Sequence, residues 1–232
     1  MSVLELEHVS KCYGRLSEQV ALRDVSLRVE AGEMVVVWGM RRSGRSTLLR
    51  IAAGIEQPDS GVVRFDGHDL GKRHGETLGD GIGYCRKRFT PSEGQLVIDQ
   101  MITGLIARGV PPSQAGSRAR AALERAEIGS CAQLRPAELD SAEAVRAAIA
   151  RALAFAPRLL LIDEPTIGVD LLARDGVLML LHSLAQQGMA ILASTGESTS
   201  LSGARALTLS EGELHGQPTR ELAPVVPLRR TG

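Results

Sequence analysis

Gly39-Met40-Arg41-Arg42-Ser43-Gly44-Arg45-Ser46-Thr47 is the stretch on which the fold turns. Two glycines enclose four residues and are followed by a cation and two hydroxyls, the spacing of a loop that wraps a polyphosphate, with Arg45 where lysine is expected. In such a loop Gly39 and Gly44 let the backbone turn its N–H groups inward, and the helix that follows adds the positive end of its dipole. Upstream, residues 34–38 are a short unalternating apolar run, as in a strand covered on both faces. Downstream, residues 46–54 read as a helix with Leu48, Leu49, Ile51 and Ala52 on its core side. Strand, glycine-rich turn and helix predict an α/β fold with a parallel sheet. A glycine-rich turn carrying a solvated basic patch satisfies the same nine residues, so other segments decide.

Working outward, residues 3–9 and 25–29 alternate apolar and polar side chains as half-buried antiparallel strands do, with Asp24 read as a break between elements. The turn Pro58-Asp59-Ser60-Gly61 precedes two more strands, 62–65 and 82–85. From about 92 to 154 the chain is Ala-rich with helical period and reads as an insertion. Strand signals return at 159–162 and 190–193, with an amphipathic helix over 171–186 between them. The predicted organisation is one domain over 1–222: a core of 1–90 and 155–222, a helical subdomain of about 91–154, and a flexible tail, 223–232.

The 232 residues, 44% apolar and 23% charged, suit one folded unit with a sizeable core. Lys and Arg total 27, as do Asp and Glu, so no net field favours nucleic acid, and 3% aromatics leave few platforms for stacking bases. Three widely spaced cysteines fit neither a disulfide framework nor a structural zinc site. With no apolar run near the roughly 18 residues of a membrane span, any membrane role is expected to go through a partner.

The second informative stretch is Leu159-Leu160-Leu161-Ile162-Asp163-Glu164-Pro165-Thr166, two carboxylates at the carboxyl end of a buried strand, where ligands sit in open α/β sheets. Preceded by Ala148-Ile149-Ala150-Arg151-Ala152-Leu153, it closely resembles the Walker B region of ABC-type ATPases, and the resemblance extends from about residue 3 to 214. It implies a RecA-like P-loop core with an antiparallel β subdomain and an inserted α-helical subdomain, binding ATP and Mg²⁺. It also implies a second nucleotide-binding subunit and membrane-spanning transporter subunits as partners, on the cytoplasmic, inner face of the plasma membrane. By that likeness Gly39, Arg42, Ser43, Gly44, Arg45, Ser46 and Thr47 take the phosphates. Ser46 and Asp163 hold Mg²⁺, and Glu164 polarises the attacking water. Tyr13 takes the place of the aromatic on which adenine stacks, although a tyrosine there also serves as packing. Two acids that merely cap the next helix are the plainer alternative for Asp163 and Glu164.

The sequence also departs from that pattern. Lys87 stands at the Q-loop glutamine, where an ammonium repels a metal and cannot ligate it. Leu139-Asp140-Ser141-Ala142-Glu143 occupies the signature, of which only Leu139 is kept. A carboxylate about 4 Å from a phosphate oxygen costs roughly 4 kcal/mol at an effective dielectric near 20, so Asp140 opposes closure over a partner's ATP; equally, Asp140 is a good N-cap for the helix that follows. Gly196 stands at the switch histidine. Arg41 and Arg42 either join Arg45 around the phosphates or point into water. The leading reading is a transporter's ATP-binding subunit with a degenerate, slowly hydrolysing site; a fully active ATPase and a non-hydrolysing scaffold are the alternatives. Residues 89–95 are the predicted docking contact.

Overall fold

The computed structural model describes residues 2–14, 19–72, 81–85, 94–196 and 203–216. Two long strands, β1 (Ser2–Tyr13) and β2 (Gln19–Glu30), open the chain and lead to β3 (Met34–Trp38) and α1 (Arg45–Ala52). β4 (Ser60–Phe65) and β5 (His68–Asp69) then return to the first pair, giving an antiparallel sheet in the order β2-β1-β4-β5. After β6 (Ile82–Cys85) come three helices, α2 (Val97–Ala107), α3 (Pro112–Arg125) and α4 (Ser141–Leu153). The chain re-enters the second sheet as β7 (Leu159–Asp163), crosses it through α5 (Leu171–Gln186) to β8 (Ala190–Thr195), and finishes with β9 (Arg205–Ser210) and β10 (Glu213–Gly216). That sheet runs β10-β9-β3-β8-β7-β6 and is parallel except for the terminal β9–β10 pair. The fold is α/β, with a parallel sheet, an antiparallel sheet and a helical cluster.

The central strands lack alternation because both of their faces are covered. Val35 and Val37 of β3, Leu159 and Leu161 of β7, and Leu192 of β8 enter a core shared with α1 and the antiparallel sheet. Their neighbours Met34, Val36, Leu160, Ile162 and Ile191 enter the opposite core, built with α2 to α5. The apolar run in the sequence is thus two interleaved period-two patterns. Their consequence for function is positional: β3, β7 and β8 end at one edge, with Trp38 level with Thr195 and Asp163 level with Ser194.

The first two strands are longer than the alternation predicts, and Asp24 does not divide elements but lies inside β2. Bulges explain the difference. His8 and Asp24 adopt φ of 53° and 49°, and the pairing of β1 with β2 shifts register on both sides of Val9. Each bulge swaps which face the next side chain takes, so a strand that continues reads as one that stops. The N–H groups displaced from the ladder are not lost, because His8 N–H donates to Ser26 Oγ and Asp24 N–H to Ser10 Oγ, both at 3.0 Å. The predicted first helix begins one residue earlier than read and ends sooner, at Ala52. Lys87, the tail 223–232 and most of the predicted docking segment (89–93) lie outside the described residues.

Candidate functional site

Between β3 and α1 the chain leaves the sheet edge in a loop whose shape depends on two missing side chains. A Cβ on Gly39 would lie 2.6 Å from the Leu209 carbonyl oxygen and 2.4 Å from Ser43 Oγ. One on Gly44, where φ is +101°, would lie 2.0 Å from the Ala21 carbonyl oxygen. No side chain caps α1 at Gly44, so the first N–H groups of the helix face the groove in front of it with the positive end of the dipole behind them. That groove, about 1000 Å³, is lined by Tyr13, Arg41, Arg42, residues 43–47 and Glu164. Arg41 and Arg42 are exposed at its rim, while Arg45 and Thr47 are buried. Ser43 Oγ and Arg45 Nη1 are buried without a hydrogen-bond partner among the described residues. Two unsatisfied buried donors beside a helix N-terminus make a site for an anion.

The acid pair sits directly opposite. Asp163, at the end of β7, accepts hydrogen bonds from Ser46 Oγ at 2.9 Å and from Ser194 Oγ at 2.6 Å. Asp163 is 7% exposed and its partners are neutral, so the pair of hydroxyls orients the carboxylate without cancelling its charge. Magnesium takes oxygen ligands, few of them from protein when phosphates are present. Ser46 Oγ and an Asp163 carboxylate oxygen are such donors, and among the described residues no cluster of three or more His, Cys, Asp or Glu forms a closed cage elsewhere. The chemistry of these two oxygens fits Mg²⁺, and Ser46 and Asp163 are the residues that would hold it.

Glu164 has left-handed backbone (φ 50°), held by its N–H, which donates to the Ser194 carbonyl at 3.2 Å and to Ser194 Oγ at 3.1 Å. Its Oε1 accepts from Arg45 Nη2 at 2.9 Å, in a pair whose side chains are only 6% and 11% exposed. Removing one member of such a pair strands the other's charge, at a cost of about 3–5 kcal/mol. The arginine that the sequence assigns to phosphate therefore spends part of its hydrogen-bonding capacity on the acid assigned to water.

Tyr13 ends β1 with its ring on the groove wall and its hydroxyl tied down. The hydroxyl donates to Glu56 Oε1 and accepts from Arg50 Nη2 at 2.9 Å, with Thr47 Oγ1 at 3.2 Å; Arg50 Nε also donates to Glu56 at 2.8 Å. The tether fixes the hydroxyl end of a ring that lines the groove, and Lys11 Nζ lies 5.8 Å from the ring centroid, so packing and stacking both stay open as roles. Burial alone would push the Glu56 carboxyl up, but the hydrogen bonds from Tyr13 and Arg50 outweigh it and hold the group below its ordinary 4.5. A carboxyl lowered on folding stabilises the fold fully above its unfolded pKa, and that contribution disappears as pH falls through the folded value. Glu56→Gln is accordingly expected to lower the melting temperature at pH 7 by a few degrees and to shrink the loss seen below about pH 4.5. Thermal unfolding of both proteins from pH 7 to pH 3 checks this, and parallel curves would refute it.

The segment Leu139-Asp140-Ser141-Ala142-Glu143 closes on itself. Asp140 is the N-cap of α4, accepting from Glu143 N–H at 2.7 Å, while Glu143 Oε2 accepts from Asp140 N–H at 2.9 Å. This is a capping box, and the helix end is satisfied by its own carboxylates, with Cys131 Sγ adding a contact of 3.3 Å to Glu143 Oε1. Gly196, just past β8, lies beside the ion pair: a Cβ there would be 3.5 Å from Arg45 Nη2 and 3.7 Å from Glu164 Oε1. The structure thus brings Tyr13, residues 39–47, Asp163, Glu164 and Gly196 to one edge, and places 139–143 on the helical cluster. Ser194 was not singled out from sequence. Its signal is a hydroxyl at the end of a buried apolar strand, level with an acid on the neighbouring strand.

Comparison with known proteins gives three findings. A family model described as "ABC transporter" matches residues 22–167. The cell division ATP-binding protein FtsE of Escherichia coli K12 is 34% identical over 92% of this chain and 98% of its own length, and the sulfate/thiosulfate import ATP-binding protein CysA of the same organism is 32% identical over 79% of this chain and 50% of its own. Among solved structures, the bacterial ABC transporter cassette MJ0796, solved as a dimer, superposes with TM-score 0.80 at 27% identity over 91% of this chain and 96% of that one.

Proposed function

The chain belongs to the ABC transporter family, and on that premise we propose that it is the ATP-binding subunit of an ABC-type transporter. It binds Mg-ATP in the groove between α1 and the acid pair, couples to membrane-spanning subunits, and hydrolyses slowly on its own. One observation carries the binding half. Asp163, polarised by Ser46 and Ser194, faces the uncapped N-terminus of α1, so phosphate, metal and protein charges alternate in sign across the groove. Three features support slow turnover: Glu164 is paired with Arg45 rather than open to water, α4 presents carboxylates where a partner's phosphate would approach, and Gly196 offers no side chain. Lys87, at the glutamine position, adds a cation to that set.

A nucleotide-binding unit over 1–222 works beside a second one in this reading, and the exposed apolar group Ile167, Leu171 and Leu172 next to the groove supports that face as the contact. Among the described residues no helix is long and apolar enough to cross a membrane; in this reading partner subunits hold the chain on the inner face. The self-capped α4 also favours a second reading, a scaffold that never hydrolyses. Calorimetric titration with ATP and Mg²⁺, together with steady-state phosphate release, tests the choice. Micromolar binding with turnover well below one per second is the expected result. Ordinary turnover abolished by Glu164→Gln overturns the slow site, and no binding at millimolar ATP favours the scaffold.

A further inference from the structure

We propose that Arg45 is a bridge, holding Glu164 with one guanidinium nitrogen and offering the other to the terminal phosphate, and that Gly196 is the vacancy that lets it do so. The inference rests on the nucleotide reading above and adds to it a positioning residue that sets the preference for ATP over ADP. Arg45 is 6% exposed, so its head has a fixed seat and does not sweep through solvent. Nη2 is engaged with Glu164 Oε1 at 2.9 Å, whereas Nη1, equally buried, has no hydrogen-bond partner among the described residues. A guanidinium presents its donors in a planar fork, which one carboxylate oxygen does not exhaust. A buried donor without an acceptor is costly, and an anion within reach relieves it.

The seat exists because position 196 has no side chain. A Cβ on Gly196 would stand 3.5 Å and 3.6 Å from the two terminal guanidinium nitrogens and 3.7 Å from Glu164 Oε1. The first carbon is tolerated at those distances, but anything longer must claim the volume of the Arg45 head. Arginine at 45 and glycine at 196 are therefore one feature: the long planar head occupies the room that a side chain at 196 would otherwise fill, and reaches Glu164 from there. Lysine at 45 carries a compact ammonium that cannot span acid and phosphate in the same way.

A mutant cycle of Arg45→Lys, Gly196→His and the double variant tests the proposal, read as the affinities for ATP and for ADP with Mg²⁺, by displacement of a fluorescent ATP analogue, and as melting temperatures without nucleotide. The unaltered chain is expected to prefer ATP about tenfold, the worth of one charge-assisted hydrogen bond. Either single change is expected to bring that ratio near one and lower the melting temperature, while the double variant recovers both in part, since an imidazole at 196 can reach Glu164 and leave lysine to the phosphate. Arg45→Lys alone keeps the test decisive if Gly196→His does not fold: an unchanged ATP:ADP ratio in that variant overturns the bridge. Additive melting temperatures around the cycle overturn the shared seat. If the unaltered chain binds neither nucleotide, the nucleotide reading falls and the phosphate half of this proposal with it, whereas binding of both with an unchanged ratio overturns the bridge alone.

Discussion

Gly44→Ala is expected to abolish nucleotide binding and to cost several kcal/mol of stability, although it adds a single methyl group. The added carbon would lie 2.0 Å from the Ala21 carbonyl oxygen, a backbone atom of β2 that cannot rotate away, and φ at +101° is unfavourable for any L side chain. Relief requires α1 to move off the antiparallel sheet. Its uncapped N-terminus, Arg45, Ser46 and Thr47 move with it, so the phosphate groove loses its floor. Gly104→Ala in α2 is the matched control: nothing lies within 4 Å of its Cβ position, and alanine in a helix interior favours folding by up to about 1 kcal/mol. Thermal melts and ATP titration of the two variants should diverge in sign for stability and by more than about a hundredfold for binding. Equal behaviour would show that the loop does not need the conformation seen here.

The same contrast explains how much was legible beforehand. Gly39, Gly44 and the acids at 163 and 164 announce themselves because their chemistry is local: a tight turn, an uncapped helix, carboxylates at a strand end. The parallel strands were legible as apolar runs for the reason given by their two-sided burial, and the helix Leu171–Gln186 by its period. What stayed hidden depends on partners distant in sequence. Arg45 reads as a phosphate ligand alone, because its partner Glu164 lies 119 positions away. Gly196 reads as a missing side chain, and only the fold brings the Arg45 guanidinium to 3.5 Å from where its Cβ would stand. The bulges at His8 and Asp24 break the alternation on which strand reading relies. Asp140 carried two readings from sequence, and the reciprocal bonds with Glu143 establish the cap as geometry, while its effect on a partner's phosphate is a matter for experiment.

Asp163→Asn is expected to remove the dependence of ATP binding on Mg²⁺ while leaving the fold in place. Both acceptor contacts of Asp163 come from hydroxyls, Ser46 Oγ at 2.9 Å and Ser194 Oγ at 2.6 Å. A hydroxyl can turn from donor to acceptor, so the asparagine amide still finds a partner on each side, and the one amide N–H left over costs far less than an unpaired charge. Only the charge is lost. Among the described residues that charge is hydrogen-bonded to Ser46, the hydroxyl that the proposed function assigns to a cation. In the unaltered chain Mg²⁺ should raise ATP affinity by about a hundredfold, because the ion neutralises the repulsion between phosphate and carboxylate as well as joining them. In Asp163→Asn the repulsion is already gone, so affinity in EDTA should rise while affinity in Mg²⁺ falls, and the two titrations should converge. Ser194→Ala separates charge from orientation: it keeps the carboxylate but frees one of its oxygens and removes one of the two acceptors of Glu164 N–H. Its Mg²⁺ dependence should persist, reduced by about tenfold or less. If Asp163→Asn retained the full Mg²⁺ effect, the cation would have to be held elsewhere, and the alternation of charge on which the binding site was built would be wrong at its centre.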